Sequence, residues 1–296
     1  MSTLLQYACT AAVWGASFLF IKVAVSGLSP AQVVLGRLVG GAMLLALLML
    51  VTGRKWPRGT VWLHFFAMAF IMCVAPFLLF SWAAQSLPSG LSSIFNATTP
   101  IATLLLALAV LPDERLTRAK TIALFAAAGG IILVLAPWQL WGAAASTSVL
   151  PQLACLMGSV MYGVGFIYSR RFFRAHEYDS STVAASQISS AAVIMLVLAP
   201  FLARDAVTLS PPVVVSMLLL GTIGTGIAYV WYNNVMNALG ATLASTVTYL
   251  TPLVAVVLGI TVLGERLAWY EVAGGLVVII AVLVAQSGTL RGFFRR

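Results

Sequence analysis

The chain has 296 residues, of which 61% are hydrophobic and only 8% charged, and it carries a net charge of +9 at neutral pH. So apolar a composition excludes a soluble globular domain and marks an integral membrane protein. The positive excess lies in short loops between apolar runs, so it reports topology and contact with anionic lipid, and no nucleic-acid partner is expected.

Apolar stretches long enough to cross a bilayer, about 20 residues each, follow one another at roughly 4–25, 31–52, 61–84, 88–111, 118–137, 150–169, 182–203, 212–236, 240–263 and 269–287. Ten spans joined by short loops leave no room for a soluble domain, so the function has to sit inside the helix bundle. The first span is too long for a signal-peptide core and follows no basic stretch, so it is read as retained. Cys9, Cys73 and Cys155 fall in separate apolar spans without His, Asp or Glu nearby. They are read as small apolar residues, with no disulfide and no metal site. With a cytoplasmic N-terminus, the cytoplasmic segments hold Arg54, Lys55, Arg58, Arg115, Arg118, Lys120, Arg170, Arg171, Arg174, Arg291, Arg295 and Arg296, twelve of the sixteen basic residues. Lys22, Arg37, Arg204 and Arg266 fall on the opposite side, and this asymmetry places both termini in the cytoplasm.

One phrase is written twice, "ATTPIATLLLALAVLPDERL" from Ala97 and "YLTPLVAVVLGITVLGERL" from Tyr249. Leu87, Thr99 and Pro100 match Leu239, Thr251 and Pro252 at a constant offset, and Glu114-Arg115-Leu116 match Glu265-Arg266-Leu267 after a one-residue slip. Trp14-Gly15, Phe18 and Lys22 likewise match Tyr162-Gly163, Phe166 and Arg170. Each half then holds five spans, and an odd number turns the second half over. The expected fold is an all-α integral membrane protein of ten transmembrane helices, a 5+5 inverted-topology repeat around a central cavity. Its parts are a first repeat over 1–137, a second over 150–287 and a basic cytoplasmic tail over 288–296. Halves related in this way can rock about a shared midplane site, which points to a transporter working by alternating access.

Spans four and nine carry Thr99-Pro100 and Thr251-Pro252 near their centres. Proline removes one helical N–H bond and displaces the carbonyl four residues earlier, that of Asn96 in one half and Thr248 in the other. A freed carbonyl in hydrocarbon is costly unless it is buried against protein or faces a water-filled cavity. Two prolines at matching depth therefore favour cavity lining over plain packing kinks. Ser92, Asn96, Thr99 and Thr103 fall on one helical face, as do Ser245, Thr248 and Pro252, although a single hydroxyl more often bonds its own backbone or a neighbouring helix. Trp14 and Tyr162 occupy repeat-equivalent midpoints, too deep for the interfacial belts to which Trp56, Trp62, Trp138, Trp141 and Trp269 are assigned. Phe77, Phe80 and Trp82, with Thr222, Thr225, Tyr229 and Tyr232, extend the aromatic and hydroxyl set. The candidate substrate-binding residues are Trp14, Ser17, Phe77, Phe80, Asn96, Thr99, Pro100, Tyr162, Thr225, Tyr229, Thr248 and Pro252.

All seven carboxylates map to span ends or loops, which disfavours a proton-coupled exporter of cations. Lys22 and Arg37 lie toward span ends, where long side chains snorkel to the interface, with Arg170 and Gln187 as their second-half counterparts. Arg37 could alternatively guide a carboxylate at the outer mouth. Gly36, Gly40, Gly41, Gly129, Gly130, Gly274 and Gly275 are read as close helix contacts, and His64 receives no role.

The repeated Thr-Pro and Glu-Arg-Leu phrases, with "VWGASFLFIKVAV" and "LSPAQVVLGRLVGGAMLL", resemble the drug/metabolite transporter superfamily in its EamA-type branch, over nearly the whole chain. The resemblance implies a cavity lined by the first, third and fourth helices of each half. It also implies peripheral fifth and tenth helices, where protomers could pair as a homodimer. An aromatic, hydroxyl-rich cavity without fixed charge suits small, neutral or zwitterionic, partly apolar cargo. Amino acids fit, and the resemblance to bacterial amino-acid and metabolite exporters points the same way, with the lipid bilayer of an inner membrane as the setting. The alternatives are another cargo on the same fold, such as a nucleoside or drug-like molecule, or an intramembrane enzyme. The sequence offers no GxSxG, no HExxH and no paired membrane Asp for the last, and no catalytic residue, metal or cofactor is expected.

Overall fold

Hydrocarbon offers no partner to a backbone N–H or C=O, so a chain this apolar crosses it as helices or as a closed barrel. The computed structural model describes residues 1–111, 116–136, 149–172, 178–239, 244 and 246–294, with side chains for all of these except 170, 239 and 286–294. Among the described residues every regular element is a helix. Eight are long and apolar enough to cross a membrane, and two hold the shorter apolar stretches Val247–Leu263 and Trp269–Ala285. They are α1 (Thr3–Ala24), α2 (Pro30–Val51), α3 (Val61–Ala84), α4 (Ser89–Val110), α5 (Arg118–Leu135), α6 (Val149–Phe172), α7 (Ser180–Leu202), α8 (Pro211–Ala238), α9 (Val247–Leu263) and α10 (Trp269–Phe294). Each helix falls within one of the ten stretches expected from hydropathy, give or take a few residues at its ends, except that α10 runs on to Phe294 and α9 starts at Val247 where the expected stretch starts at 240, and 240–243 and 245 lie outside the described residues. Asp113, Glu114, Arg115, Trp138, Trp141, Arg174, Glu177, Ser245, Arg295 and Arg296 lie outside the described residues, as do the side chains of Arg170 and Arg291.

Three spans depart from regular α-helix. The fourth is broken: Ser89–Asn96 and Thr99–Val110 are separate helices with Ala97 and Thr98 between them. Pro100 therefore opens the second piece, where its missing N–H leaves no helical bond unmade. The Phe95 carbonyl at the break accepts from Thr98 N at 3.0 Å, Thr98 Oγ1 at 2.7 Å and Ser159 Oγ at 2.8 Å, the last from α6. Pro252 lies inside an unbroken helix, and Thr251 Oγ1 donates at 2.9 Å to the Thr248 carbonyl that this proline displaces. The other two departures are π-helical turns, Phe70–Val74 in α3 and Leu220–Ile227 in α8.

The packing is reciprocal. α1 packs on α8 and α9, α6 on α3 and α4, α2 on α7 and α8, α7 on α3, α4 on α9, and α5 on α10. Glycines set the closest approaches. A Cβ at Gly15 would lie 2.8 Å from the Thr251 carbonyl oxygen, and one at Gly163 would lie 3.0 Å from Thr103 N. Gly40 and Gly221 bring α2 onto α8, since a Cβ on either would sit within 3.4 Å of the other's Cα. The Glu-Arg-Leu phrase also acquires a physical role: Glu265, past the end of α9, accepts from Ser89 N at 2.7 Å, Ser89 Oγ at 2.8 Å and Gly90 N at 3.2 Å. It satisfies the first amide groups of α4, where a negative charge also complements the helix dipole. Lys22 does not snorkel; its Nζ donates at 2.8 Å to the Ala84 carbonyl at the end of α3.

Asp179 caps α7 by accepting from Ser181 N at 3.0 Å and Thr182 N at 3.1 Å, and it pairs with Arg54 beyond α2. Partial burial works to raise its pKa, but the Thr182 hydroxyl and N–H, Arg54 and the Ser181 N–H outweigh this and hold it below the ordinary 3.8. A depressed carboxylate stabilises the folded state above its ordinary pKa, and that contribution is lost as pH falls through the folded-state value. Asp179→Asn should flatten the fall of Tm with pH below 3.8, read by thermal melts at stepped pH. At the α5–α10 contact a Cβ on Gly274 would lie 2.7 Å from the Gly130 carbonyl oxygen, whereas one on Gly129 meets nothing within 4 Å. Gly274→Val should lower stability by about 1–3 kcal/mol, a fall of several degrees in Tm. Gly129→Ala should leave Tm unchanged or raised.

Candidate functional site

The broken helix and the π-turns converge on one cavity of about 1040 Å³, counting its open mouth. Its wall takes Trp14, Ser17, Phe18 and Ile21 from α1, Arg37 from α2, Met68, Met72, Phe77 and Phe80 from α3, and Asn96 and Thr99 from α4. The remainder comes from Tyr162, Phe166 and Ser169 of α6, Val183 and Gln187 of α7, Tyr229, Tyr232, Asn233 and Met236 of α8, and Thr248 of α9. Among the described residues neither α5 nor α10 reaches it. Besides the helices implied by the family resemblance, α2 and α7 contribute to the wall.

Of the twelve residues picked from sequence, nine line the cavity, and Pro100, Pro252 and Thr225 do not. The prolines are buried behind the wall. What faces the space lies beside each proline: Asn96 ends the first piece of α4, Thr99 begins the second, and Thr248 precedes Pro252 by one turn. Ser92 Oγ and Thr103 Oγ1 do not belong to the wall either; they donate to the Pro88 and Thr99 carbonyls of their own helix.

Trp14 and Tyr162, at repeat-equivalent positions, both line the cavity but take different aromatic partners. The Trp14 ring lies 5.7 Å from that of Tyr229 and 4.9 Å from that of Tyr232, while Tyr162 stacks on Phe80 at 6.1 Å. Trp14 Nε1 donates at 3.2 Å to the Gly224 carbonyl, inside the π-turn of α8. Cys73, inside the π-turn of α3, lies 3.4 Å from the Tyr229 hydroxyl. A π-turn widens the helix and turns backbone groups out of the regular ladder, and here each turn holds an aromatic side chain. Cys73, read from sequence as a small apolar residue, is a polar contact of the site. His64, given no role, lies 2.7 Å from the Tyr168 hydroxyl, away from the cavity wall.

The largest correction concerns charge. Arg37 does not snorkel: it is 5% exposed, lines the cavity, donates from Nε to Thr225 Oγ1 at 2.7 Å and lies 3.8 Å over the Phe77 ring. The cavity therefore holds a fixed cation, and Thr225 acts by holding it. Arg37 stands two turns beyond Pro30, and its head turns inward to Thr225 and Phe77. Gln187, also buried, donates from Nε2 to Cys73 Sγ at 3.6 Å. So α2 reaches the π-turn of α8 and α7 reaches the π-turn of α3. The matched positions of Arg37 and Gln187 in the repeat were the available signal, overridden by the usual behaviour of long side chains near helix ends.

Comparison with known proteins bears on what such a cavity does. The EamA-like transporter family matches residues 1–136 and again 150–286. An uncharacterized transporter of Archaeoglobus fulgidus is 24% identical over 96% of this chain and 97% of its own length. The uncharacterized inner membrane transporter YedA of Escherichia coli K12 is 25% identical over 92% of this chain and 87% of its own. A protein of Streptantibioticus cattleyicolor named "Probable terminal-alkyne amino-acid exporter" is 26% identical over 95% of this chain and 92% of its own. A solved crystal structure superposes with a TM-score of 0.65 at 18% identity, covering 96% of this chain and 97% of that one, which shows a shared fold.

Trp14 both forms the wall and ties α1 to α8, and substitution separates the two roles. Trp14→Phe keeps a ring against Tyr229 and Tyr232 but loses the N–H, so it should cost about 1 kcal/mol of stability and leave size preference unchanged. Trp14→Ala should weaken transport of a large amino acid more than of a small one. Melting and uptake measured on the same purified variants check both outcomes.

Proposed function

The chain belongs to the EamA-like transporter family, and on that premise we propose that it exports small zwitterionic, partly apolar metabolites, amino acids above all, by alternating access. The observation that carries this reading is the wall itself: aromatic and apolar side chains interrupted by amides, hydroxyls and one cation, with no carboxylate among the described residues. An apolar cavity with a few convergent polar groups is the usual form of a site for small molecules. One relative bears an amino-acid exporter's name, which adds support.

In this reading residues 1–137 and 150–287 are inverted five-helix repeats, followed by a basic tail over 288–296. The double family match supports it, as does the packing. Exchanging α1 with α6, α2 with α7, α3 with α8, α4 with α9 and α5 with α10 turns every major helix contact into another that is present. The distribution of basic loops supports cytoplasmic termini in an inner membrane. Protomers would pair through the outer faces of α5 and α10, where Phe125 and Ile280 are exposed.

Without a carboxylate on the wall to exchange protons, transport should run down the cargo's own gradient. Reconstituted protein should catalyse counterflow of labelled L-phenylalanine or L-leucine, at a rate unchanged when an imposed pH gradient is collapsed. Absence of counterflow with every amino acid tested would remove the cargo assignment. Loss of uphill accumulation on collapsing the gradient would remove the uncoupled mechanism.

A further inference from the structure

Arg37 is a buried cation whose bonding is incomplete. Its Nε is taken by Thr225 and one face of its guanidinium by Phe77. Its two terminal nitrogens have no hydrogen-bond partner among the described residues, and the one described ion pair, Arg54–Asp179, lies elsewhere. A charge in a membrane interior is normally paired with another charge or with backbone carbonyls. An arginine kept only for structure would have its fork filled in that way. Here the filled position is Nε, the outer edge of the fork is left open, and the residue lines the cavity.

Two further groups on the same wall are unsatisfied. The Tyr232 hydroxyl and Thr99 Oγ1 are buried without a partner among the described residues. Buried polar atoms are almost always bonded, so two unpartnered hydroxyls on the same wall as a guanidinium with an open edge point to a ligand that completes them. The planar fork of arginine matches a carboxylate, which can take two parallel N–H bonds. The hydroxyls can accept from an ammonium group. Charge bounds the ligand further: Lys22 is committed to the Ala84 carbonyl, which leaves Arg37 as the cation of the described wall. One cation balances one negative charge.

We propose that Arg37 is the anchor for a cargo carboxylate, so that the site selects apolar monocarboxylates, with the Tyr232 and Thr99 hydroxyls receiving an ammonium group where the cargo has one. This rests on the transporter reading above and names the feature of the cargo that the site reads. Thr225 and Phe77 act as positioning residues, since they hold the guanidinium with its open edge toward the cavity.

The experiment compares L-phenylalanine, L-phenylalaninamide and phenylpyruvate on the full-length protein. In detergent, the two carboxylates should raise the Tm of the wild type and the amide should not. In phosphatidylethanolamine and phosphatidylglycerol vesicles, Arg37→Gln should raise KM for phenylalanine by about tenfold or more, and Arg37→Lys should retain part of the affinity. Equal stabilisation or transport of acid and amide by the wild type would overturn the anchor while leaving the amino-acid reading intact, as would an unchanged KM in Arg37→Gln. Transport of phenylpyruvate without any amino acid would overturn that reading and keep the anchor. Should Arg37→Gln fail to fold, the wild-type comparison of acid with amide decides alone.

Discussion

Every backbone polar group inside hydrocarbon needs a partner from the protein, and the structure follows from where this chain meets that demand and where it departs from it. Most of each span meets it as regular helix. The departures are the break at Ala97 and Thr98 and the two π-turns, and each is met by a side chain of another helix, at a backbone carbonyl in two of the three. Ser159 of α6 bonds the Phe95 carbonyl, Trp14 of α1 bonds the Gly224 carbonyl, and Cys73 within the first π-turn meets Tyr229 of α8. Irregular backbone at this depth is tolerated where it is buried in protein or lines a cavity. The break and the first π-turn border the cavity, through Asn96, Thr99 and Met72, and Tyr229 follows the second π-turn by two residues.

The helix termini obey the same rule. The first amides of α4 are satisfied by Glu265 and the last carbonyls of α3 by Lys22. A charged side chain spent on a helix end is unavailable to cargo, which is why two of the charges nearest the bundle have structural roles and Arg37 does not. Close glycine contacts then fix the spacing. Gly15 against Thr251 and Gly163 against Thr103 draw α1 onto α9 and α6 onto α4, leaving the cavity between these pairs.

Much of this was legible in the sequence, for a physical reason. Hydropathy reports spans because the bilayer imposes a length, and the repeated Thr-Pro and aromatic-Gly phrases mark positions where paired helices need small or helix-breaking residues. Asn96, Thr99 and Thr248 were recognisable because polar groups in an apolar run are costly. The break in α4 was foreshadowed by Pro100, although its ring stands behind the wall and the exposed groups lie beside it. The π-turns were marked less plainly. Leu220–Ile227 holds Gly221, Gly224 and Gly226, and Pro76 just past Phe70–Val74 displaces the carbonyl of Met72 inside that turn, but neither pattern says that the helix widens where it could have broken. The burial of Arg37 was hidden likewise, because depth along one helix does not say whether its side chain turns outward to the interface or inward to Thr225 and Phe77.

The bonds that shape the cavity share a direction. Arg37 of α2 reaches Thr225 of α8, Gln187 of α7 reaches Cys73 of α3, Trp14 of α1 reaches Gly224 of α8, and Cys73 of α3 reaches Tyr229 of α8. Each runs between the first five helices and the last five. Under the proposed mechanism one set moves against the other and such bonds are the ones that motion alters, so the polar groups proposed to hold cargo would also report the relative position of the two sets. A ligand can shift a conformational equilibrium only through interactions that differ between the states. Groups anchored at both ends within one set would hold cargo equally in every state. The Arg37–Thr225 bond, joined to one helix of each set and open toward the cavity at its free edge, meets the requirement. Occupancy of the guanidinium and the distance between α2 and α8 are thereby linked through one side chain.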